Sequence, residues 1–325
     1  MPYANTAGVP LSLAVFLATD SYDHEDDTSV ISATTLIRPL RQIILSSRVP
    51  AEQQTTELIQ MVNSRMGSVI HDGIERAWKN NHGTAMELSG CPKRVRDLIR
   101  INPKPEELEE GIIPIYMEQR AYKQVGNYRV SGKFDFIGDG RLEDFKSTSV
   151  FTAMHNTNDE KYIWQGSIYR WLNPELITKD EMAIQFIFTD WSAGKARSDP
   201  KYPQQRLQQR ILPLKSLQET DAFIKRKLAL IDQYWEAPEN QIPLCTDDDL
   251  WRSEPVFKYY KNPNKLTRST KNFDTLQEAM LRKAEDGHVG VVVEQPGQVT
   301  ACKYCAAFSA CSQKDALVAS GDLIL

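Results

Sequence analysis

One short stretch limits the folds open to this chain more than any other: Ser131-Gly132-Lys133-Phe134-Asp135-Phe136-Ile137-Gly138-Asp139-Gly140-Arg141-Leu142-Glu143-Asp144-Phe145-Lys146-Ser147. Asp139-Gly140 is a two-residue hairpin signal, because both positions tolerate the positive φ of a type I′ turn. Closure there pairs Gly138 with Arg141, Ile137 with Leu142, Phe136 with Glu143 and Asp135 with Asp144. Directly opposed residues share a face with Cβ atoms roughly 4.5–5.5 Å apart, so two carboxylates placed this way repel unless a cation compensates. Lys146 falls on the face of Asp144 by the period of two, and Glu143 falls on the other. Two acids and an ammonium on one patch suit phosphodiester hydrolysis. The carboxylates hold Mg²⁺ or Mn²⁺, the metal activates water, and the lysine positions the nucleophile or stabilises the transition state. An isolated Asp-x-Lys reads equally well as a solvated hairpin, so partners elsewhere in the chain decide.

The order of elements around the hairpin is mixed α/β. A short strand at Val30–Ala33 leads into a helix through Leu36, Ile43, Ile44 and Leu45, with Pro39 near its first turn. Residues Ala51 to Asn80 read as a longer helix carrying His71, with Leu58, Met61, Val62, Val69, Ile70 and Ile74 at helical spacing. Strands follow at Ile112–Glu118, Tyr128–Ile137 and Arg141–Ser147, then a helix over Glu160–Leu172 and a strand at Met182–Trp191. A basic, proline-containing loop over Lys195–Arg210 leads to a short strand near Ile211 and an amphipathic helix over Leu217–Trp235. Pro238 to Pro243 reads as a linker. The expected division is an N-terminal segment (residues 1–60) packing on a core (61–240), followed by a C-terminal lobe (241–325).

Gly132 to Ser147 resembles the Gly-x-x-Asp … Asp-x-Lys core of RecB-type nucleases in the PD-(D/E)xK superfamily. The resemblance implies that Asp135, Asp144 and the main-chain carbonyl of Phe145 ligate the metal and that Lys146 is catalytic. Glu143 also precedes Lys146, but at the wrong spacing. Gly67-Ser68-Val69-Ile70-His71 is similar to the family's Gly-x-x-x-His helix, which implies an imidazole ligand at His71; by itself a histidine on such a helix is as readily a core residue. Gln165 and Tyr169 match the family's Gln-x-x-x-Tyr motif; four apart on a helix, they share a face where an amide and a phenol can bond a DNA phosphate or base. Trp164, Ile168 and Trp171 form a second stripe that reads as core. Glu118 resembles an acidic position of these nucleases and is a candidate support residue.

The five cysteines are Cys91, Cys245, Cys302, Cys305 and Cys311, an odd count that does not suggest a disulfide framework. The last three form Cys-x2-Cys-x5-Cys. Structural zinc sites usually pair such a knuckle with a second knuckle or with histidines, whereas iron–sulfur clusters take four thiolates at varied spacing. Cys245 and Cys91 are the candidates for a fourth ligand, and three unliganded cysteines are the plain alternative. Residues Ile242 to Trp251, with the terminal triplet, resemble the carboxy-terminal lobe of phage exonucleases related to CRISPR-associated iron–sulfur nucleases. That resemblance implies a 4Fe-4S cluster on Cys245, Cys302, Cys305 and Cys311, with Cys91 as the alternative fourth ligand. The fold class it implies is α/β: a PD-(D/E)xK nuclease core, with a mixed central sheet flanked by helices, and a C-terminal cysteine-ligated iron–sulfur lobe.

Across 325 residues the formal net charge is −4, which argues against indiscriminate coating of nucleic acid but leaves room for local basic surfaces. Arg252, Lys258, Lys261, Lys265, Arg268 and Lys271 interleave with Trp251, Phe257, Tyr259, Tyr260 and Phe273, a pattern suited to phosphates and unpaired bases as much as to a solvated face. Within it Lys258, Lys261, Tyr259 and Arg268 are the candidate DNA contacts. No apolar run reaches the ~20 residues that span a bilayer, and Leu11–Ala18 lacks the basic flank of a secretory signal, so the expected location is the cytoplasm with no membrane partner. The expected activity is metal-dependent DNA exonuclease, phage-type, in recombination, replication or DNA degradation. Its partners are single-stranded DNA or duplex ends, with a homo-oligomer or a recombination protein also in view. The alternatives are a CRISPR-adaptation-type nuclease that trims DNA with partner proteins, and a nuclease-fold binding or inhibitory protein without turnover.

Overall fold

The computed structural model describes residues 3–20, 27, 29–50 and 55–325. In chain order the elements begin with β1 (Tyr3–Ala4), α1 (Leu11–Ala18), β2 (Val30–Ser32), α2 (Ala33–Leu36), α3 (Leu40–Arg48), β3 (Thr56–Glu57) and α4 (Val62–Leu88). Next come α5 (Lys93–Arg96), β4 (Ile99–Ile101), β5 (Ile113–Val125), β6 (Tyr128–Gly138), β7 (Arg141–Thr148), α6 (Val150–Met154) and α7 (Asp159–Leu172). The chain continues through β8 (Glu181–Phe188), α8 (Ala193–Ser198), β9 (Leu207–Pro213), α9 (Leu217–Tyr234), β10 (Val256–Tyr260), β11 (Lys271–Phe273), α10 (Leu276–Glu285), β12 (Val291–Gln295) and α11 (Ser312–Ser320).

Two compact units emerge: residues 1–37 with 55–229, and residues 38–54 with 230–325. This division differs from boundaries at 60 and 240. The difference lies in α3, where Ile44 and Leu45 pack with Ile242 and Ala307 of the second unit. The single helix expected through Leu36 and Leu45 is two helices. Pro39 holds the N-cap of α3 at φ −53° and ψ 137°, and the residue before a proline is pushed out of the helical region. Of the helix expected from Ala51, residues 51–54 lie outside the described residues; a 3-10 turn over Leu58–Met61 precedes α4, which runs on to Leu88. The expected loop over Lys195–Arg210 contains α8 and the start of β9.

The first unit is mixed α/β, built on a seven-stranded sheet in the order β4-β5-β6-β7-β8-β9, with β2 also pairing β6. The β5/β6 and β6/β7 pairs are antiparallel, whereas β7/β8 is parallel, as the helical crossover through α7 requires. Phe134, Ile137, Leu142, Ile184, Phe186 and Ile168 are fully buried and form the core of the sheet and its α7 cover. Helix α7 approaches β6 closely because Gly132 has no side chain: a Cβ there would lie 2.7 Å from Leu172 and 2.8 Å from the Tyr169 ring. The second unit contains a three-stranded sheet, β11-β10-β12, with α10 against it. Among the described residues no helix is long and apolar enough to cross a membrane.

Candidate active site

The hairpin forms at the expected turn, with Asp139 at φ 48° and Gly140 at φ 74°. Its ladder holds Gly138 to Arg141, Ile137 to Leu142 and Phe136 to Glu143, and stops there. At its other end β6 pairs β2 through Arg129, Val130 and Ser131. Among the described residues, 132–135 of β6 therefore have no strand on that edge, while β7 stays paired with β8 on its other edge from Leu142 to Thr148. The Asp135–Asp144 backbone pair expected from the turn is absent. In its place the Asp135 carboxylate accepts a hydrogen bond from the Phe145 N–H at 3.1 Å, so a side chain closes the opening between diverging strands.

Two further groups enter this opening. The β5/β6 register, Met117 to Phe136 and Gln119 to Phe134, sets Glu118 across from Asp135, and Glu118 has a left-handed backbone at φ 52°. A non-glycine residue in that region costs on the order of 1–3 kcal/mol and persists only where its surroundings enforce it. Helix α4 supplies His71, whose Nδ1 lies 3.5 Å from Asp135 Oδ2 and 3.9 Å from Glu118 Oε1. Gly67, one turn earlier, lets the helix approach β7: its Cβ position is 3.4 Å from Ser147 Oγ. The ligand atoms of His71, Glu118 and Asp135 lie within 4.8 Å of one another.

The other imidazole nitrogen, Nε2, is 3.0 Å from the Phe145 carbonyl. With Nε2–H donating there, the Nδ1 edge is directed at the two carboxylates, as in a histidine oriented by a backbone partner. Burial alone would lower the His71 pKa, but hydrogen bonds to Asp135 and Glu118 outweigh it and push it up to about 10. The positive charge that the acids demand is thus supplied by an imidazolium. Glu118 is also paired with Lys133 Nζ at 2.6 Å.

Asp144 is not part of this three-residue group. It is 2% exposed, and Lys146 Nζ lies 2.6 Å from its Oδ2. That oxygen is fully buried, with the Lys146 ammonium as its close ion-pair partner. Burial, reinforced by the charge of Asp135, raises the Asp144 pKa to about 6 against the opposing pull of Lys146. Asp135 is also raised by burial, but His71 and Lys146 bring it below the ordinary carboxylate range. Lys146 would be lowered by burial, yet Asp144 and Asp135 hold it above its usual value, so its amine is charged at neutral pH. Nζ also lies 5.4 Å from the centre of the Tyr162 ring on α7.

Of the residues expected from sequence, Asp135, His71, Asp144 and Lys146 meet at one opening. The Phe145 carbonyl is beside them but accepts from His71. Gln165 Nε2 donates to the Tyr169 hydroxyl at 2.8 Å, and both stand on α7, which also carries Tyr162. Glu118 moves from support residue to full member of the group. The signal for it was present: Gly126-Asn127 is a second two-residue turn, and counting back from the Val125–Tyr128 pair sets Glu118 against Asp135. Tyr162 had no such signal.

In the second unit Cys245, Cys302, Cys305 and Cys311 are free and half-buried. Burial, Asp249 and the neighbouring Cys311 and Cys305 push the Cys245 thiol up to about 12, and burial with Cys305 and Cys311 raises Cys302. Cys91 belongs to the first unit, just after α4. Arg41, 2% exposed on α3, donates from Nε to Cys311 Sγ at 3.4 Å, a contact that sequence reasoning missed.

The candidate DNA contact Tyr259 is corrected by the structure. Its ring is fully buried, and its hydroxyl donates to the Val289 carbonyl at 3.0 Å and to Asp286 at 3.1 Å, so it cannot stack on a base. Lys261 lies 3.7 Å from Asp286, Lys258 is half-buried on β10, and Arg268 is exposed.

No family model matches this chain, and no curated protein matches it. Among solved structures it is similar to SSO0001, at 16% identity and a TM-score of 0.39, over 70% of this chain and 85% of that one. It is also similar to a phage-related exonuclease from Haemophilus somnus 129PT, at 16% identity and a TM-score of 0.26, over 39% of this chain and 61% of that one. At this depth neither likeness assigns a family or an activity, and the functional reading rests on the geometry of the site.

Proposed function

We propose that this chain is a metal-dependent deoxyribonuclease of the RecB-like PD-(D/E)xK kind, an exonuclease that hydrolyses phosphodiester bonds. The observation that carries the reading is the His71–Glu118–Asp135 group beside the buried Asp144–Lys146 pair. One imidazole nitrogen among hard carboxylate oxygens suits Mg²⁺ or Mn²⁺. His71, Glu118 and Asp135 would hold the ion, with Asp144 and the Phe145 carbonyl at its border. When bound, such an ion lowers the pKa of its water and neutralises charge on the phosphoryl oxygens.

The chain's own residues divide the remaining work. Lys146 keeps its proton at Nζ, so it acts as a fixed positive charge toward the phosphoryl group and not as a general base. Asp144 orients that ammonium. His71, fixed through Nε2 by Phe145, presents Nδ1 to the ion once its proton has left. Tyr169 is buried, so of this pair the half-buried Gln165, held by the Tyr169 hydroxyl, would be the one to orient the DNA backbone. Lys258, Lys261 and Arg268 add a basic surface for phosphates. In the second unit, Cys245, Cys302, Cys305 and Cys311, with Arg41 beside Cys311, would hold a 4Fe-4S cluster that serves as a structural staple.

The test is digestion of end-labelled single- and double-stranded DNA, linear and circular, with Mn²⁺. Linear DNA is expected to be degraded from its ends by the wild type, and Lys146→Ala to lose at least ~100-fold in rate, the scale of removing one preorganised charge. Equal rates for the two proteins would overturn the assignment. Absorption near ~400 nm from the purified protein supports the cluster that thiolate ligation suggests, whereas stoichiometric zinc refutes it.

A further inference from the structure

A cavity of about 570 Å³ opens between α4 and the sheet, within the ~300–1,000 Å³ typical of small-ligand sites. It adjoins the proposed active site through one residue and one helix. Phe145 gives its carbonyl to His71 and its ring to the cavity wall, and α4 carries His71, Ile74 and Trp78 on one face at spacings of three and seven. The walls are aromatic and hydrocarbon. Trp78 lies 5.2 Å from Phe136, centre to centre, and Phe136 lies 6.2 Å from Phe145. The polar members are two carboxylates, Asp139 and Glu143, and three amides, Gln185, Gln208 and Gln209. Glu143 is held by Arg141 at 2.8 Å and accepts from Gln185 at 2.8 Å.

This lining selects its occupant. It contains no Lys or Arg, and its charged members are the carboxylates Asp139 and Glu143, so nothing in it attracts a phosphate. Flat apolar walls with an amide and carboxylate rim instead match a heterocycle that has a π face and hydrogen-bonding edges. A base can enter only if it has left the duplex stack. We propose that this cavity receives an unpaired nucleobase next to the phosphate being cut, so that the substrate is a single strand or a frayed or overhanging end. The inference rests on the nuclease reading above. It adds a residue set, Trp78, Phe145, Gln185 and Gln209, that distinguishes unpaired from paired DNA.

The probe is 2-aminopurine, whose fluorescence falls when it stacks on an aromatic ring. Duplexes carrying it in a terminal overhang or at an internal paired position are titrated with the full-length protein, with Ca²⁺ replacing Mg²⁺ to suppress cutting. The overhang probe is expected to be quenched on binding and the paired probe to be unchanged. Trp78→Ala is expected to remove the quench and weaken overhang binding by about tenfold, the scale of losing one base–aromatic stack, with blunt duplex unaffected. Ile74→Trp, which fills the cavity while keeping its apolar wall, is expected to do the same and guards against a folding defect at Trp78. General unfolding would weaken both substrates together and is checked by circular dichroism. Bound DNA with an unquenched overhang, a quench that survives both variants, or no DNA binding at all overturns the proposal. Mn²⁺-dependent cutting without the quench removes the base pocket alone. A quench without cutting removes the nuclease reading and leaves the pocket standing.

Discussion

Replacing Gly140 by alanine tests the turn on which the site's register depends. Gly140 sits at φ 74°, where an L-residue pays about 1–2 kcal/mol. A Cβ there would also lie 2.1 Å from Thr178 Oγ1 and 3.4 Å from Thr178 Cβ. The hydroxyl can rotate away, at a rotamer cost on the order of 1 kcal/mol. The Gly140 carbonyl accepts from the Thr178 and Lys179 amides at 2.9 and 3.1 Å, so the turn cannot simply shift. The sum is about 2–3 kcal/mol, or roughly 30- to 150-fold in the equilibrium for opening the hairpin. Amide hydrogen exchange of a peptide covering residues 128–148 reads that opening directly, without assuming that a two-unit chain unfolds in one step. Adding Thr178→Ala is expected to restore the rotamer part and leave the backbone part, so the double variant should fall between Gly140→Ala and wild type. A change under about threefold for Gly140→Ala, or full recovery in the double variant, refutes the argument, because the positive φ would then carry no cost.

Three other outcomes follow from the geometry. Glu118→Gln removes one of two charged oxygen donors, and calorimetric titration with Mn²⁺ is expected to show affinity reduced by about tenfold or more with the fold intact. Arg41→Met leaves the Glu239 and Ile242 carbonyls and the Glu239 carboxylate without their buried cation; breaking such a pair costs about 3–5 kcal/mol, and urea unfolding followed in the second unit measures it. Glu239 is raised by burial, but the Ser312 amide and hydroxyl and the charge of Arg41 bring it below its ordinary value. A depressed acid stabilises the fold above its unfolded pKa and loses that contribution as pH falls through its folded value, so wild type should lose stability below about pH 4.5 relative to Glu239→Gln. Parallel acid-unfolding curves would refute this.

The site was legible where the information is local. Asp139-Gly140 fixed the hairpin register as far as Phe136–Glu143, because a two-residue turn leaves no slack. It could not announce that β7 would diverge from β6 one residue later while staying paired with β8 along its other edge, since β8 lies about forty residues onward. Glu118 was readable from the Gly126-Asn127 turn, but its left-handed backbone was not. The basic and aromatic residues of β10 show how a pattern misleads: along a strand, alternation is first a statement about inside and outside. Tyr259 faces the α10 side as core rather than facing DNA. Arg41 was invisible because its partners Glu239 and Ser312 lie 198 and 271 positions away.

The same separation bears on how the molecule comes into being. Helix α3 leaves the ribosome early, with Ile44 and Leu45 uncovered, while Ile242, Ala307 and the Glu239 and Ser312 groups that receive Arg41 are still to be translated. The first unit can consolidate around a helix pair and sheet that are complete by residue 229, whereas the second must wait for both of its distant segments. During that interval a greasy turn of helix is available to chaperones or to another nascent chain, which makes α3 the place where translation speed and aggregation are coupled.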